Sequence, residues 1–246
     1  MKAYRACLFD LYGTLVDIRT DEGRPDLWHR MSAHYGSRGA RYAPAELRAA
    51  YLAACARREA ELRQSAAAKW VEIEIGTVFS DLYARRGAAV DASEIQETAA
   101  LFRRLSTTHL RAYAGAAELL RILRERGRQV ILLSNAQRLF TLPELEKLGL
   151  RDCFDGIFLS SDHECKKPDA AFFRLPLERF GLAPEDCLMI GNDPVCDVAG
   201  AAAVGIDSVY IRSGLSPRDE PEHIPALLRL DRMDLRRLRR ILLAAG

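Results

Sequence analysis

The stretch from Ala6 to Asp17 reads ACLFDLYGTLVD. Ala6, Cys7, Leu8 and Phe9 make a short apolar run, the pattern of a strand buried on both faces. The run ends abruptly at Asp10. Gly13 and Thr14, small and turn-forming, come next, and the chain turns apolar again at Leu15 and Val16. A carboxylate at the C-terminal end of a buried parallel strand stands where open α/β sheets bind ligands. Taken alone, Asp10 serves equally well as the cap of a helix beginning in the next turn. The rest of the chain decides between the two.

Working outward, Ile18 to Asp26 is polar, carries Gly23 and Pro25, and reads as a linker. Residues 27 to about 110 are helical in character. Leu47, Tyr51 and Ala54 keep three-to-four spacing, and Ile75, Val78, Phe79 and Leu82 share one face. No strand alternates with these helices, so residues 18–110 read as a separate helical module. From Tyr113 the grammar changes. Apolar strands at Gln129–Leu133, Gly156–Leu159, Cys187–Ile190 and Ser208–Ile211 alternate with helices. These helices are expected at Gly115–Arg126, Leu142–Leu148, Asp169–Phe180 and Val195–Val204, with Pro143 in the first turn of the second. The alternation implies βαβ units and a parallel sheet covered on both faces. The expected architecture is a Rossmann-like α/β core of residues 1–17 and 111–246 with the all-helical module inserted. Asp231–Ala244 reads as a terminal amphipathic helix packed on the sheet.

Composition narrows the function. The chain has 246 residues, 49% hydrophobic and 28% charged, enough for one core plus an insertion. Its 36 basic and 34 acidic residues leave a formal charge of +2, which gives no electrostatic reason to expect nucleic-acid or membrane binding. Val130–Leu133 is too short to span a bilayer. The N-terminal MKAYRACLFD lacks the apolar region of a signal peptide. Cys7, Cys55, Cys153, Cys165, Cys187 and Cys196 form no CxxC pair. Reduced thiols in the cytoplasm are therefore expected.

Polar groups recur at successive strand ends: Asp10; Ser134 and Asn135; Lys166, Lys167 and Pro168; Asn192, Asp193 and Asp197. In a parallel sheet these ends share one edge, so the groups converge. Here the sequence resembles the haloacid dehalogenase (HAD) superfamily of hydrolases. Asp10, Gly13 and Thr14 match its DxxGT motif. Ser134, followed by Asn135, matches its second motif, Lys167–Pro168 its third, and Asp193 with Asp197 its acidic fourth. The helical module falls where many members carry a cap. The resemblance implies an aspartate nucleophile, Asp10, with catalytic help from Thr14, Ser134 and Lys167. Substrate contacts would come from Tyr12, Gly13, Ser134, Asn135 and Lys167. A carboxylate nucleophile divides a hard hydrolysis into two steps. Hydroxyl and ammonium groups steady a transferring phosphoryl. Asp10, the Tyr12 carbonyl, Asp193 and Asp197 make a hard oxygen set suited to Mg²⁺.

Two departures stand out. Phosphatases of the family usually carry a second Asp two residues after the nucleophile; here that position is Tyr12. Tyrosine there is characteristic of the metal-independent 2-haloacid dehalogenases. Those enzymes carry a tyrosine six residues after the motif lysine, where this chain has Phe173. The other departure is Asn192. It either takes the first acidic position of the fourth motif or replaces the glycine before it. The second alignment keeps two carboxylates and is the one expected. Three carboxylates facing one lysine would raise one another's pKa, a conflict that a divalent metal removes. The expected activity is therefore Mg²⁺-dependent phosphoryl transfer from a small anionic phosphomonoester, by a monomer or homodimer. The alternatives are a metal-independent dehalogenase and a binding protein on the same fold with weakened catalysis. Arg38, Arg41, Lys69 and Trp70 are candidates to reach over the crevice from the module.

Overall fold

A computed structural model describes residues 2–244. Six parallel strands form the main sheet: β1 (Ala6–Phe9), β4 (Gln129–Ser134), β5 (Gly156–Leu159), β6 (Cys187–Gly191), β7 (Asp207–Ile211) and β8 (Leu228–Leu230). Their order is β5-β4-β1-β6-β7-β8. β1 is fully buried between its neighbours, Leu8 pairing with Ile131 on one side and Met189 on the other. The chain winds from β1 through β4 to β5, then returns to the other side of β1 for β6, β7 and β8. The order therefore reverses at β1, and the crevice of such a sheet opens there. One face packs Leu119, Leu120, Leu123, Leu238 and Leu242 from α5 (Ala116–Glu125) and α9 (Leu235–Leu243). The other packs Phe172, Phe173 and Leu177 from α7 (Ala170–Phe180). This is the α/β fold expected of the sequence.

Helices α1 (Pro25–Ser37), α2 (Pro44–Ser65), α3 (Ile75–Ala84) and α4 (Ala92–Ser106) build an apolar cluster of their own. Its centre is aromatic. Tyr35 stacks on Tyr83 with ring centres 4.1 Å apart, and Phe102 contacts Trp28, Tyr51 and Phe79. Helix α6 (Arg138–Lys147) of the core joins this cluster: Phe140 stacks on Phe102, and Leu139 packs against it.

Three local readings are corrected. The expected linker begins as strand β2 (Val16–Thr20), paired antiparallel with β3 (Thr107–Ala112), so both chain crossings run through one ribbon. Helix α6 starts at Arg138, not Leu142, and Pro143 lies inside it. A proline there cannot donate the rung back to position 139, and the helix tolerates that single loss. The expected helix from Val195 is instead a π-helical turn, Pro194–Ala199, running into the short α8 (Gly200–Ala202). No helix among the described residues is long and apolar enough to cross a membrane.

Candidate active site

The switch point collects the polar strand ends. Asp10 leaves β1, Ser134 closes β4, and Asn192 follows β6. After Asp10 the chain folds back at once: Leu15 and Val16 N–H groups both donate to the Leu11 carbonyl, at 2.8 and 2.9 Å. Gly13 makes this turn with φ +88°, and a Cβ there would lie 2.4 Å from Asn192 Nδ2. Only glycine combines that backbone with that approach. Thr14, fully buried, then donates to Asp10 Oδ2 at 3.3 Å, and Ser134 donates to Asp10 Oδ1 at 3.3 Å.

Lys167 is the electrostatic centre. It is 2% exposed, and its Nζ donates to Asp10 Oδ1 at 2.8 Å and to Asp197 Oδ1 at 2.7 Å. Burial alone would pull this ammonium down, but the two carboxylates raise it above the ordinary lysine range. Burial pushes Asp197 up to about 6, against the pull of Lys167 and with the push of Asp10. Asn135 works one layer behind. Its Nδ2 donates to the Lys167 carbonyl at 2.9 Å and its Oδ1 accepts from Lys167 N at 2.8 Å. It therefore fixes the lysine loop rather than reaching Asp10.

The fourth motif is arranged differently from the expected carboxylate pair. Asn192, 5% exposed, is the residue beside Asp10 and Thr14. Asp193 turns its Oδ1 to accept from Val195 and Cys196 N–H, both at 2.8 Å, as a cap. Asp197 has both oxygens engaged, by Lys167 and by Asp193 N–H at 2.9 Å. The π-helical turn holds one more residue per turn than an α-helix does, which lengthens the spacing from the first position to Asp197. Asn192 thus takes that first position.

The magnesium ion implied by the resemblance can be tested against these donors. Asp10 Oδ2, the Tyr12 carbonyl and the Asn192 side chain converge within 3.1–3.3 Å of the amide. One carboxylate with neutral oxygens, the rest of the shell being water and substrate, is a donor set that Mg²⁺ accepts. No group of three His, Cys, Asp or Glu side chains placed to hold a metal occurs among the described residues. The anionic share of such a site therefore falls on Asp10.

The Tyr12 side chain is committed elsewhere. Its hydroxyl donates to Glu144 Oε2 at 2.5 Å and lies 3.1 Å from Thr141 Oγ1. Arg103 of α4 reaches across to donate to Glu144 Oε1 at 2.6 Å, its guanidinium 5.6 Å from the Tyr12 ring centre. Burial, with Glu144 beside it, raises the phenol above its ordinary range. The hydroxyl is thus a structural donor joining the Asp10 loop to α6, which Arg103 ties in turn to the helical module. Tyr12→Phe is expected to lower stability by about 1 kcal/mol, the worth of one hydrogen bond, with kcat changed by less than about threefold. Urea denaturation and steady-state kinetics check this; a loss near 10²-fold, the low end for general acid–base help, would assign proton transfer to Tyr12 instead.

Asp10, Tyr12, Ser134, Asn135, Lys167, Asn192, Asp193 and Asp197 line one cavity of about 170 Å³, together with Cys196 and Leu215. The sequence carried no sign of Leu215. It lies in the loop after β7, placed by Ser216, whose hydroxyl donates to the Asn192 carbonyl at 2.8 Å. None of Arg38, Arg41, Lys69 or Trp70 lines this cavity. Arg38 pairs with Glu97 inside the module, and Arg41 is exposed. Lys69 and Trp70 bear on the core through their backbone, donating to Asp169 Oδ2 at 2.8 and 3.2 Å.

The same loop makes a seam beside the lysine. Lys166 N–H donates to the Trp70 carbonyl at 2.9 Å, and Glu72 N–H to the Glu164 carbonyl at 3.1 Å. Gln137 of the core accepts from Ile75 N–H at 2.9 Å and donates to the Ile73 carbonyl at 2.8 Å.

A carboxylate at the switch point of the sheet, a buried lysine against it and a loop that fixes the lysine make up the site. Residues 4–205 match the family model described as haloacid dehalogenase-like hydrolase, and the chain belongs to that family. Among curated proteins it is similar to a phosphoserine phosphatase of Thermus thermophilus, 36% identical over 141 residues, 57% of this chain and 55% of that protein. It is also similar to a phosphoglycolate phosphatase of Nitrosococcus oceani, 32% identical over 138 residues, 52% of this chain and 61% of that one. The chain spans about half the length of the curated relatives it matches. Among solved structures, a HAD phosphatase from Thermococcus onnurineus superposes with TM-score 0.60 at 22% identity, covering 98% of each chain. A dehalogenase with an intermediate complex superposes at 0.59 and 21%, with the same coverage. The chain thus belongs to a family of hydrolases, and the curated relatives compared above are named as phosphatases.

Proposed function

We propose that this hydrolase transfers a phosphoryl group from a small phosphomonoester to Asp10 and then to water. Asp10 Oδ1 attacks phosphorus, the ester oxygen leaves with its electron pair, and an acyl phosphate forms. Water then breaks the phosphorus–oxygen bond to Asp10, releasing phosphate and restoring the carboxylate. Lys167 and Ser134 stand beside Oδ1, placed to hold the equatorial oxygens as negative charge grows. The leaving alkoxide takes its proton from water at the open side of the cavity, since the Tyr12 hydroxyl is tied to Glu144 and Thr141. Asp10 Oδ2, the Tyr12 carbonyl and Asn192 are the residues to hold Mg²⁺. The ion supplies Lewis-acid neutralisation of the phosphate and lets an anion approach an anionic nucleophile. We assign the helical module, residues 18–110, the role of a cap, joined to the core through the β2–β3 ribbon and the seam at residues 69–75. Six free thiols suit a reducing, cytoplasmic setting.

The observation that carries this reading is the contact of Asp10 Oδ1 with both Lys167 Nζ and Ser134 Oγ inside the cavity. Against the dehalogenase alternative, Phe173 is fully buried in the core and offers no hydroxyl. The test is phosphate release from a panel of small phosphomonoesters with Mg²⁺ and with EDTA, beside halide release from 2-chloropropionate. EDTA-sensitive phosphate release supports phosphoryl transfer. Metal-independent halide release reverses it. Neither activity, with full biological function retained by Asp10→Asn, points to a binding protein.

A further inference from the structure

Position 192 does more than complete a donor set. Its side-chain amide is enclosed, 5% exposed, so its neighbours and not solvent must satisfy it. Those neighbours are Tyr12 O at 3.1 Å, Thr14 Oγ1 at 3.2 Å and Asp10 Oδ2 at 3.3 Å. With the amide oxygen inward, the single Thr14 hydroxyl proton is shared between it at 3.2 Å and Asp10 Oδ2 at 3.3 Å, and no proton lies between the amide oxygen and the Tyr12 carbonyl. Oxygens that close without a proton between them repel, and a buried acceptor left so is costly. With the nitrogen inward, the same point becomes a donor to those acceptors.

We propose that Asn192 is a turning amide: its NH₂ stands in for the magnesium ion in the metal-free protein, and its oxygen faces the ion once bound. The inference rests on the magnesium reading above. Each orientation satisfies one state and frustrates the other. The rest of the residue stays still. The Asn192 carbonyl is held by the Ser216 hydroxyl at 2.8 Å, so the change is confined to the end of the side chain. The absent Cβ of Gly13 leaves the room in which it turns.

A carboxylate at this position has no such alternative. It would set a further buried carboxylate beside Asp10, whose partner Lys167 is already shared with Asp197. Asn192 therefore exchanges metal affinity for a site that is stable without metal. The fold should need no magnesium, and magnesium should bind weakly.

The experiment is a Mg²⁺ titration of the whole chain, read two ways. Side-chain amide resonances in ¹⁵N–¹H spectra, with Asn192 assigned by its loss in Asn192→Asp, report the amide itself. Thermal unfolding with and without Mg²⁺ reports linkage for both proteins. The Asn192 NH₂ pair is expected to shift as Mg²⁺ binds and its protons to exchange faster. Asn192→Asp is expected to unfold at lower temperature without metal and to bind Mg²⁺ at least tenfold more tightly. Asn192 resonances that stay fixed while Mg²⁺ stabilises the wild type would overturn the turning amide and leave the magnesium reading standing. Mg²⁺ that stabilises neither protein, with EDTA-insensitive activity, would overturn both. The spectra use the wild-type fold, and through-bond correlation of the side-chain amide to the Asn192 backbone assigns it there, so the proposal is decided even if the variant does not fold.

Discussion

Asp10→Asn is expected to lower phosphomonoester turnover by at least about 10⁴-fold, since a group acting as the nucleophile cannot be replaced by its neighbours. The fold should survive. Lys167 keeps its 2.7 Å contact with Asp197, an amide oxygen on the Oδ1 side still accepts from Lys167 and Ser134, and on the Oδ2 side the Thr14 hydroxyl can accept from the amide nitrogen. The substitution also removes the repulsion between Asp10 and the raised carboxyl of Asp197. Thermal unfolding should thus move by no more than a few degrees, against a near-complete loss of phosphate release. Mass spectrometry should show a trapped phosphorylated aspartate in the wild type at acid quench and none in the variant. Turnover within tenfold of wild type in Asp10→Asn would remove the covalent route altogether.

Lys167→Met carries an expected loss of both stability and rate. The ammonium is the shared donor to two carboxylates that are 8% and 1% exposed. Removing one partner of a buried ion pair costs about 3–5 kcal/mol, because the remaining charges lose their compensation. Asp197, already pushed up by burial, loses the group that pulls it down and should take up a proton near neutral pH. Urea denaturation at pH 7 should show a midpoint shift of that size, and at pH 5 a smaller one, because protonated Asp197 no longer repels Asp10. Turnover should fall by at least about 10³-fold through loss of charge stabilisation in the transition state. An unchanged midpoint at pH 7 would mean that water or counterions compensate the pair.

The parts of this molecule that were legible are those where burial writes directly on the sequence. β1, β4 and β6 lie between other strands, so each carries an unbroken apolar run (Ala6–Phe9, Val130–Leu133, Cys187–Ile190) that ends sharply at Asp10, Ser134 and Gly191. The β2–β3 ribbon was not legible. VDIRT alternates over only two apolar positions, Val16 and Ile18, and TTHLRA shows neither a clean alternation nor an apolar run, so the pattern is too short to mark a strand. β8 is three residues at a sheet edge. Pro143 misled because proline favours a first turn, yet here it lies inside α6. At the site, residue types at strand ends announced Asp10, Ser134, Lys167 and Asp197. The register of Asn192 and Asp193 stayed hidden, because one residue taken up in a π-helical turn leaves no mark on composition. Glu144 and Thr141, which hold Tyr12, sit 129 or more residues away along the chain.

The seam at Trp70 and Lys166 bears on how such enzymes can be recombined. The carbonyl of Trp70 pins the amide next to Lys167, and Asp169 at the head of α7 is held by the backbone of Lys69 and Trp70. The helical insertion is therefore part of the scaffold that aims the ammonium. A chimera that exchanges all of residues 18–110 for a foreign insertion is expected to lose rate even on substrates too small to touch the insertion. A chimera that exchanges the helices but carries over residues 69–75 is expected to keep it. Modularity along the chain here does not imply modularity of the chemistry.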